Sequence, residues 1–242
     1  LLPKGVLPTF FFSKPGLHHY QEIAPKYYQR KIAQTLIDAD PVLFPSEEFY
    51  LFGWSGKLSF SERKEAAQAF YNDLKLVRKA YKKRYGIEPR IRMLAHSHGG
   101  NVILLLEEVK DADDTNFVID EVILLAVPVQ VQTMNYICSP IFKKIYSLYS
   151  ILDILQVIDP QGLQQDEAPL FSKRAFACQE KIEQVAIKMN DRSIMHMEFI
   201  KPNFLSALPS IINEINEWRA HCTQCSHGWV DREKCLCIKL RK

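Results

Sequence analysis

The chain has 242 residues, of which 47% are hydrophobic and 24% are charged, and its formal net charge is +3. This length suits one α/β domain with a full hydrophobic core, and the composition excludes a disordered or fibrous protein. Basic residues are spread along the chain among 28 acidic ones, so we expect no nucleic-acid partner.

Strand-like and helix-like segments alternate along the chain, which is typical of a mostly parallel sheet flanked by helices on both faces. Predicted strands cover residues 7–13, 49–54, 90–95, 118–127, 145–150 and 181–189. Predicted helices cover residues 20–37, 61–85, 100–109 and 204–218. The sequence therefore predicts an α/β fold, with one domain over residues 1–220 and a cysteine-containing extension over residues 221–242.

The apolar stretches are too short to cross a bilayer as a helix, since the longest, such as residues 122–129, have the length of buried strands. We expect a soluble protein that does not span a membrane, and contact with a membrane surface stays compatible with the sequence. The chain opens at Leu1 without an initiator Met, so an upstream leader could have been removed. This leaves open whether the protein is cytoplasmic or exported.

The strongest chemical signal is a serine between a predicted strand and a predicted helix. Residues 95–100 read Ala-His-Ser-His-Gly-Gly. Taken alone, such a serine is more often a helix cap. On a sharp strand-to-helix turn, however, its hydroxyl is exposed, and small residues on both sides let strand and helix approach closely. Ser97 is therefore the predicted nucleophile, and the main-chain N–H of His98 is a predicted donor to the oxyanion.

This turn resembles the nucleophile elbow of the α/β-hydrolase superfamily. Within the superfamily, it is similar to lipase-like and esterase-like members that carry a His-Ser-His-Gly-Gly turn. Ala95 occupies the first small position, where the common motif G-x-S-x-G has glycine. Trp54-Ser55-Gly56 is also similar to these members, and the order of elements over residues 7–218 matches theirs. The resemblance implies the α/β-hydrolase fold and a serine hydrolase that forms an acyl-enzyme without a cofactor.

The resemblance further implies the chain order nucleophile, acid, base. Asp153 follows the predicted strand at residues 145–150 and is the predicted acid, with Asp159 as the alternative if that strand runs longer. His196 is the only histidine between the last predicted strand and the closing helix, and it is the predicted base. His196 would take the proton of Ser97, while Asp153 would hold the imidazole in the useful tautomer.

A second oxyanion donor is expected after the first strand, where relatives carry a His-Gly pair. This sequence has Lys14-Pro15-Gly16 there, and Pro15 has no N–H to donate. The main chain of Lys14 is the predicted donor. Loss of one such donor typically costs about 2.7–4 kcal/mol of transition-state stabilisation.

Four of the six cysteines lie in the last stretch of the chain: Cys222, Cys225, Cys235 and Cys237. Together with His221 and His227 they could bind zinc, form disulfides or stay free. Zinc is the weaker alternative, because Cys-x-Cys is a poor second knuckle for that metal. We predict no metal in the catalytic site.

The predicted activity is hydrolysis of a carboxylic ester, including a lipid acyl ester, with thioesters and amides as less favoured substrates. The apolar stretch at residues 134–142 is either ordinary packing or a small cap that favours a greasy acyl chain. Two other classes stay open: a non-catalytic binding module with the same fold, and a metal-stabilised interaction protein organised by the cysteines of the extension. The sequence leaves the oligomeric state open.

Overall fold

The computed structural model describes residues 14–57, 59–156, 175–177, 180–221 and 237–240, and only the backbone of residues 221 and 237–240. The predicted strand at residues 7–13 and the alternative acid Asp159 lie outside this range. Contacts divide the chain into two compact units, Leu1–Pro89 with Ile200–Pro209 and Arg90–Phe199 with Ser210–Lys242. The predicted domain boundary at residue 220 stays a prediction.

The first unit contains a two-stranded antiparallel sheet. Strand β1 spans Gly16–His19 and strand β2 spans Tyr50–Gly53. The sequence predicts β2 but not β1, because Gly-Leu-His-His has little intrinsic preference for a strand. Pairing with β2 holds this segment extended, and the N–H of Leu17 donates to the carboxylate of Asp73 at 2.9 Å.

Two helices of the first unit carry clear start and stop signals. Helix α1 spans Tyr28–Ala39 and begins later than predicted, because Pro25 lacks the N–H that a helix interior needs. Helix α2 spans Phe60–Tyr85 and confirms the helix predicted over residues 61–85. The hydroxyl of Ser59 caps it by accepting from the N–H of Glu62 at 3.2 Å, and Gly86 ends it at a φ of 74°.

The second unit is built on a mixed, mostly parallel sheet, which gives the chain an α/β architecture. Four parallel strands lie side by side in chain order: β3 (Arg92–His96), β4 (Ile119–Leu125), β5 (Phe142–Tyr149) and β6 (Ile182–Met189). Two further strands pair with β6, of which β7 (Arg192–Ser193) is antiparallel and β8 (Cys237–Leu240) is parallel. Because the four main strands are parallel, the loops after them leave the same edge of the sheet.

Strand β4 is the centre of the hydrophobic core. Five of its side chains are 0% exposed: Ile119, Val122, Ile123, Leu124 and Leu125. The continuous apolar run predicts this burial on both faces. The apolar stretch at residues 134–142, which ends on the first residue of β5, fits the ordinary-packing alternative, since Ile137, Ile141 and Phe142 are buried.

Two helices are interrupted where the sequence predicts continuous ones. The helix expected over residues 100–109 is divided at Leu105 into α3 (Gly99–Leu104) and α4 (Leu106–Val109). The closing helix expected over residues 204–218 is divided in a similar way into α5 (Pro202–Leu205), whose residues group with the first unit, and α6 (Leu208–His221). In the described part of the chain, no helix has both the length and the apolar character to cross a membrane.

Candidate active site

The three predicted catalytic residues follow three different strands of the parallel sheet. Ser97 comes directly after β3, Asp153 lies in the turn after β5, and His196 follows the hairpin of β6 and β7. All three belong to the second unit. Because parallel strands share an edge for their carboxyl ends, side chains distant in sequence converge there.

Ser97 occupies a strained turn between β3 and α3. Its φ is 53°, in the left-handed region that non-glycine residues rarely adopt at a cost of roughly 1–3 kcal/mol. Two main-chain hydrogen bonds hold it there. The N–H of Ser97 donates to the carbonyl of Leu125 at 2.9 Å, and the carbonyl of Ser97 accepts from the N–H of Gly100 at 3.0 Å. A serine in left-handed backbone geometry between a strand and a helix is what the predicted nucleophile elbow requires.

Gly100 lets the elbow pack against the loop after β4. A Cβ built on Gly100 would lie 2.4 Å from Cγ2 of Val127, far inside van der Waals contact. A Cβ on Gly99 would meet that of Ala95 at 3.6 Å, which is an ordinary contact. Of the two glycines, therefore, Gly100 is the one that the close approach requires.

Asp153 and His196 form a buried hydrogen-bonded pair. Nδ1–H of His196 donates to Oδ2 of Asp153 at 2.7 Å, and the two residues are 7% and 1% exposed. The carboxylate selects the tautomer in which Nε2 carries the lone pair. Nε2 is then able to take a proton from a hydroxyl.

The loop that carries Asp153 is anchored at both ends. The N–H of Asp153 donates to the carbonyl of Ser150 at 3.2 Å, and Oδ1 of Asp153 accepts from the N–H of Gln156 at 3.2 Å. The side chain of Gln156 donates in turn to the carbonyl of Val127 at 2.9 Å. The sequence does not predict this role of Gln156, because its two partners, Asp153 and Val127, follow different strands.

His96 links the elbow to the predicted base. Its Nε2–H donates to the main-chain carbonyl of His196 at 3.0 Å, and the two ring centroids are 4.5 Å apart. Burial, and then the neighbouring His196, lowers the pKa of His96 to about 3, so the ring is neutral at physiological pH. The sequence by itself indicates no catalytic step for this side chain.

A second buried network surrounds the start of α3. Nδ2 of Asn101 donates to the carbonyl of Pro128 at 3.1 Å, and Oδ1 of Asn101 accepts from the hydroxyl of Thr133. Both side chains are buried. The signal for this network is a single amide side chain in an otherwise apolar helix, which indicates a buried partner.

Hydrogen bonds between the described residues do not connect every part of the predicted site. Within the described residues, no hydrogen bond links the hydroxyl of Ser97 to His196. His98 is the N-cap of α3, with helical φ and ψ of −59° and −15°. Lys14 is exposed and belongs to the first unit. The oxyanion roles of His98 and Lys14 therefore stay predictions.

The cysteine hypothesis falls almost entirely outside the described residues. Cys222, Cys225, Cys235 and His227 lie beyond them, and for His221 and Cys237 the backbone alone is described. Cys138, at the end of a short 3-10 helix before β5, is a free and exposed thiol. The three alternatives for the extension, disulfides, zinc and free thiols, stay predictions.

Comparisons with known proteins add no relative to this picture. The chain matches no protein-family model, no curated protein and no solved structure.

Proposed function

We propose that this chain is a serine hydrolase of the α/β-hydrolase type, with its sheet flanked by helices on both faces, that cleaves carboxylic esters through an acyl-enzyme on Ser97. The observation that carries the proposal is the buried 2.7 Å hydrogen bond between Asp153 and His196. Asp153 follows β5, and Ser97, in left-handed backbone geometry, follows β3 of the same sheet. A carboxylate, an imidazole and an elbow serine in this chain order are the parts that acyl transfer needs. No cofactor takes part.

In the proposed reaction, His196 accepts the hydroxyl proton as the oxygen of Ser97 attacks the ester carbonyl. Asp153 stabilises the resulting imidazolium, and the alcohol leaves with the proton that His196 returns. Water then attacks the acyl carbonyl while His196 takes its proton, and the bond to Ser97 breaks as His196 returns that proton to the serine oxygen and the carboxylic acid leaves. The main-chain N–H of His98 is the proposed donor to the oxyanion.

The test is activity-based labelling combined with hydrolysis of short-chain and medium-chain nitrophenyl esters. The wild-type protein is expected to react with a fluorophosphonate probe at Ser97. Ser97→Ala is expected to abolish labelling and to lower kcat by several orders of magnitude, because no other group replaces the nucleophile. Ser210→Ala, at an exposed serine of α6, is the matched control and should behave as wild type. Wild-type esterase activity in Ser97→Ala would refute the assignment.

Exposed apolar side chains around Asp153 support an acyl ester as the substrate. Four of them flank the acid on its own turn and are 53–61% exposed: Ile151, Leu152, Ile154 and Leu155. Met195, next to the base, is 54% exposed. Exposed apolar patches of this kind mark binding surfaces for apolar ligands or partners. The hydrogen bond between Asp153 and His196 brings the two segments together.

Substrate chain length provides a test of this apolar surface. Replacing Leu152 and Leu155 by Ser is expected to raise KM for octanoyl esters about tenfold relative to acetyl esters, since roughly 0.8 kcal/mol is lost per buried methylene. The free energy of unfolding should hardly change, because both side chains are already exposed. Leu76→Ser, at an exposed leucine of the first unit, is the control. An unchanged ratio of the two KM values would contradict the role of this surface.

A non-catalytic binding module remains the second candidate, and one observation favours it. Among the described residues, the hydroxyl of Ser97 makes no hydrogen bond to His196, so the nucleophile and the base are not yet engaged. Apo active sites often have loose contacts of this kind that tighten with substrate. Failure of the folded wild-type protein to react with the fluorophosphonate probe would favour the binding module.

A further inference from the structure

We propose that His96 is a positioning residue, which fixes the main chain at His196 and thereby directs the imidazole toward Ser97. This inference rests on the proposed hydrolase function and extends it to a residue outside the triad. His96 touches no reacting atom in the proposed mechanism. It acts through His196.

The contacts of His96 restrain a part of His196 that Asp153 does not reach. Asp153 holds the ring at Nδ1, and a single hydrogen bond at one ring atom leaves the ring free to pivot about that point. His96 holds the main chain instead, by donating Nε2–H to the carbonyl oxygen of His196 at 3.0 Å. The tilted ring contact, with centroids 4.5 Å apart, covers one face of the imidazole. Together the two residues restrain both ends of the side chain.

His96 is also tied directly to the nucleophile. It is the last residue of β3, where it pairs with Leu125 of β4, and a single peptide bond joins it to Ser97. The N–H of Ser97 donates to the carbonyl of the same Leu125. A shift of the elbow would therefore carry the support of His196 with it. This arrangement keeps the base in register with the nucleophile although the two are far apart in sequence.

The charge state of His96 suits this role. Its lowered pKa leaves a neutral ring with one N–H, and that N–H is used on the carbonyl of His196. A cation so close would oppose the positive charge that His196 gains during catalysis. A neutral donor supplies the hydrogen bond without that penalty. Neither lysine nor arginine could replace it on these terms.

Two substitutions separate the hydrogen bond from the shape of the ring. His96→Phe keeps a ring against His196 and removes the donor, whereas His96→Gln keeps an N–H donor near the position of Nε2. Tyr146→Phe is the matched control. Tyr146 lies in the middle of β5, and this change removes its 2.8 Å hydrogen bond to Asn216 of α6 without altering a residue of the proposed site. Each full-length variant is compared with wild type for kcat, KM, fluorophosphonate labelling rate and free energy of unfolding.

His96→Phe is expected to lower kcat and the labelling rate about ten- to hundredfold while KM changes less than about twofold, because misplacement of a catalytic group affects the reaction step. His96→Gln should recover most of this loss, and Tyr146→Phe should retain wild-type kcat. Wild-type kcat in His96→Phe would overturn the proposal. The proposal would also be overturned if kcat fell equally in the Phe and Gln variants and in proportion to their lower free energy of unfolding.

Histidine nitrogen NMR separates this inference from the proposed function. In the wild-type protein His196 should give the sharp spectrum of a single Nδ1–H tautomer, and His96→Phe should broaden the resonances of that ring, because the ring then pivots about its hydrogen bond to Asp153. An unchanged His196 spectrum in His96→Phe overturns the positioning role, whatever the activity. Absence of labelling in the wild-type protein, with the expected change in the spectrum, would instead refute the hydrolase and leave the contact between the histidines as described.

Discussion

Asp153 reaches His196 from a turn whose two ends are hydrogen-bonded in place. The carbonyl of Ser150 and the N–H of Gln156 both contact Asp153, and Gln156 is anchored on Val127. The carboxylate is 1% exposed, so water competes little for its oxygens. In the proposed mechanism, the orientation of the carboxylate is therefore set before a substrate arrives.

Replacing this carboxylate by an amide tests the orientation and the charge together. Asp153→Asn is expected to lower kcat by about four orders of magnitude, because the amide stabilises neither the required tautomer nor the imidazolium. Steady-state ester hydrolysis measures the loss. Asp120→Asn is the control, since Asp120 lies at the start of β4, where it pairs with Lys143 at 2.8 Å. A loss in Asp153→Asn no larger than that in Asp120→Asn would show that the acid has been misassigned.

At the scale of elements, the start of α3 packs against the loop after β4 so closely that no side chain fits between them at Gly100. The sequence predicts the strand, the turn and the following helix, because small residues and an apolar run are local signals. It did not indicate which glycine is essential. That depends on Val127, which follows β4 and meets Gly100 only in the folded chain.

A double-mutant cycle tests this contact. Gly100→Ala is expected to lower the free energy of unfolding by about 1–3 kcal/mol, because its Cβ would overlap Val127. Gly99→Ala is the matched control and should cost less, since its nearest contact is an ordinary 3.6 Å. Adding Val127→Ala to Gly100→Ala should recover part of the loss, which urea unfolding measures as a coupling energy. Strictly additive effects would mean that the overlap is relieved elsewhere.

Over the whole molecule, α/β character was predictable from the alternation of apolar runs and amphipathic segments. The strands at residues 90–95, 118–127, 145–150 and 181–189 correspond to β3, β4, β5 and β6. Strand β1 and strand β8 were not predicted, because each depends on a partner strand to hold it extended. Contacts also divide the chain into two units, and one of the boundaries between them follows Pro89.

The stability of the folded chain should depend on pH through His96. Its pKa falls from 6.5 to about 3 on folding, mainly through burial and then through His196, while Asp153 opposes the shift and His98 adds to it. Between these two pKa values the unfolded chain binds a proton that the folded chain does not. Stability therefore falls as the pH is lowered below 6.5, by at most about 1.4 kcal/mol per pH unit.

Urea unfolding of wild type and His96→Phe from pH 7 to pH 4, at about half-unit steps, measures this contribution. The variant should show the shallower dependence on pH, because its ring cannot take up a proton in the unfolded chain. Tyr146→Phe should follow the wild-type slope at a lower free energy of unfolding, since it removes a hydrogen bond and no titratable imidazole. Parallel curves for wild type and His96→Phe would contradict the depressed pKa.

The sequence by itself determined the local features of this protein: the apolar strands, the capped helix α2, and a serine between small residues at the end of a strand. These follow from periodicity and backbone sterics, which act over a few neighbouring residues. Only the tertiary structure decided that Asp153 contacts His196, that His96 donates to the carbonyl of His196, and that Gly100 faces Val127. Each of these contacts joins segments that follow different strands. The distance between such segments depends on the order of the strands in the sheet, and a local sequence pattern does not determine that order.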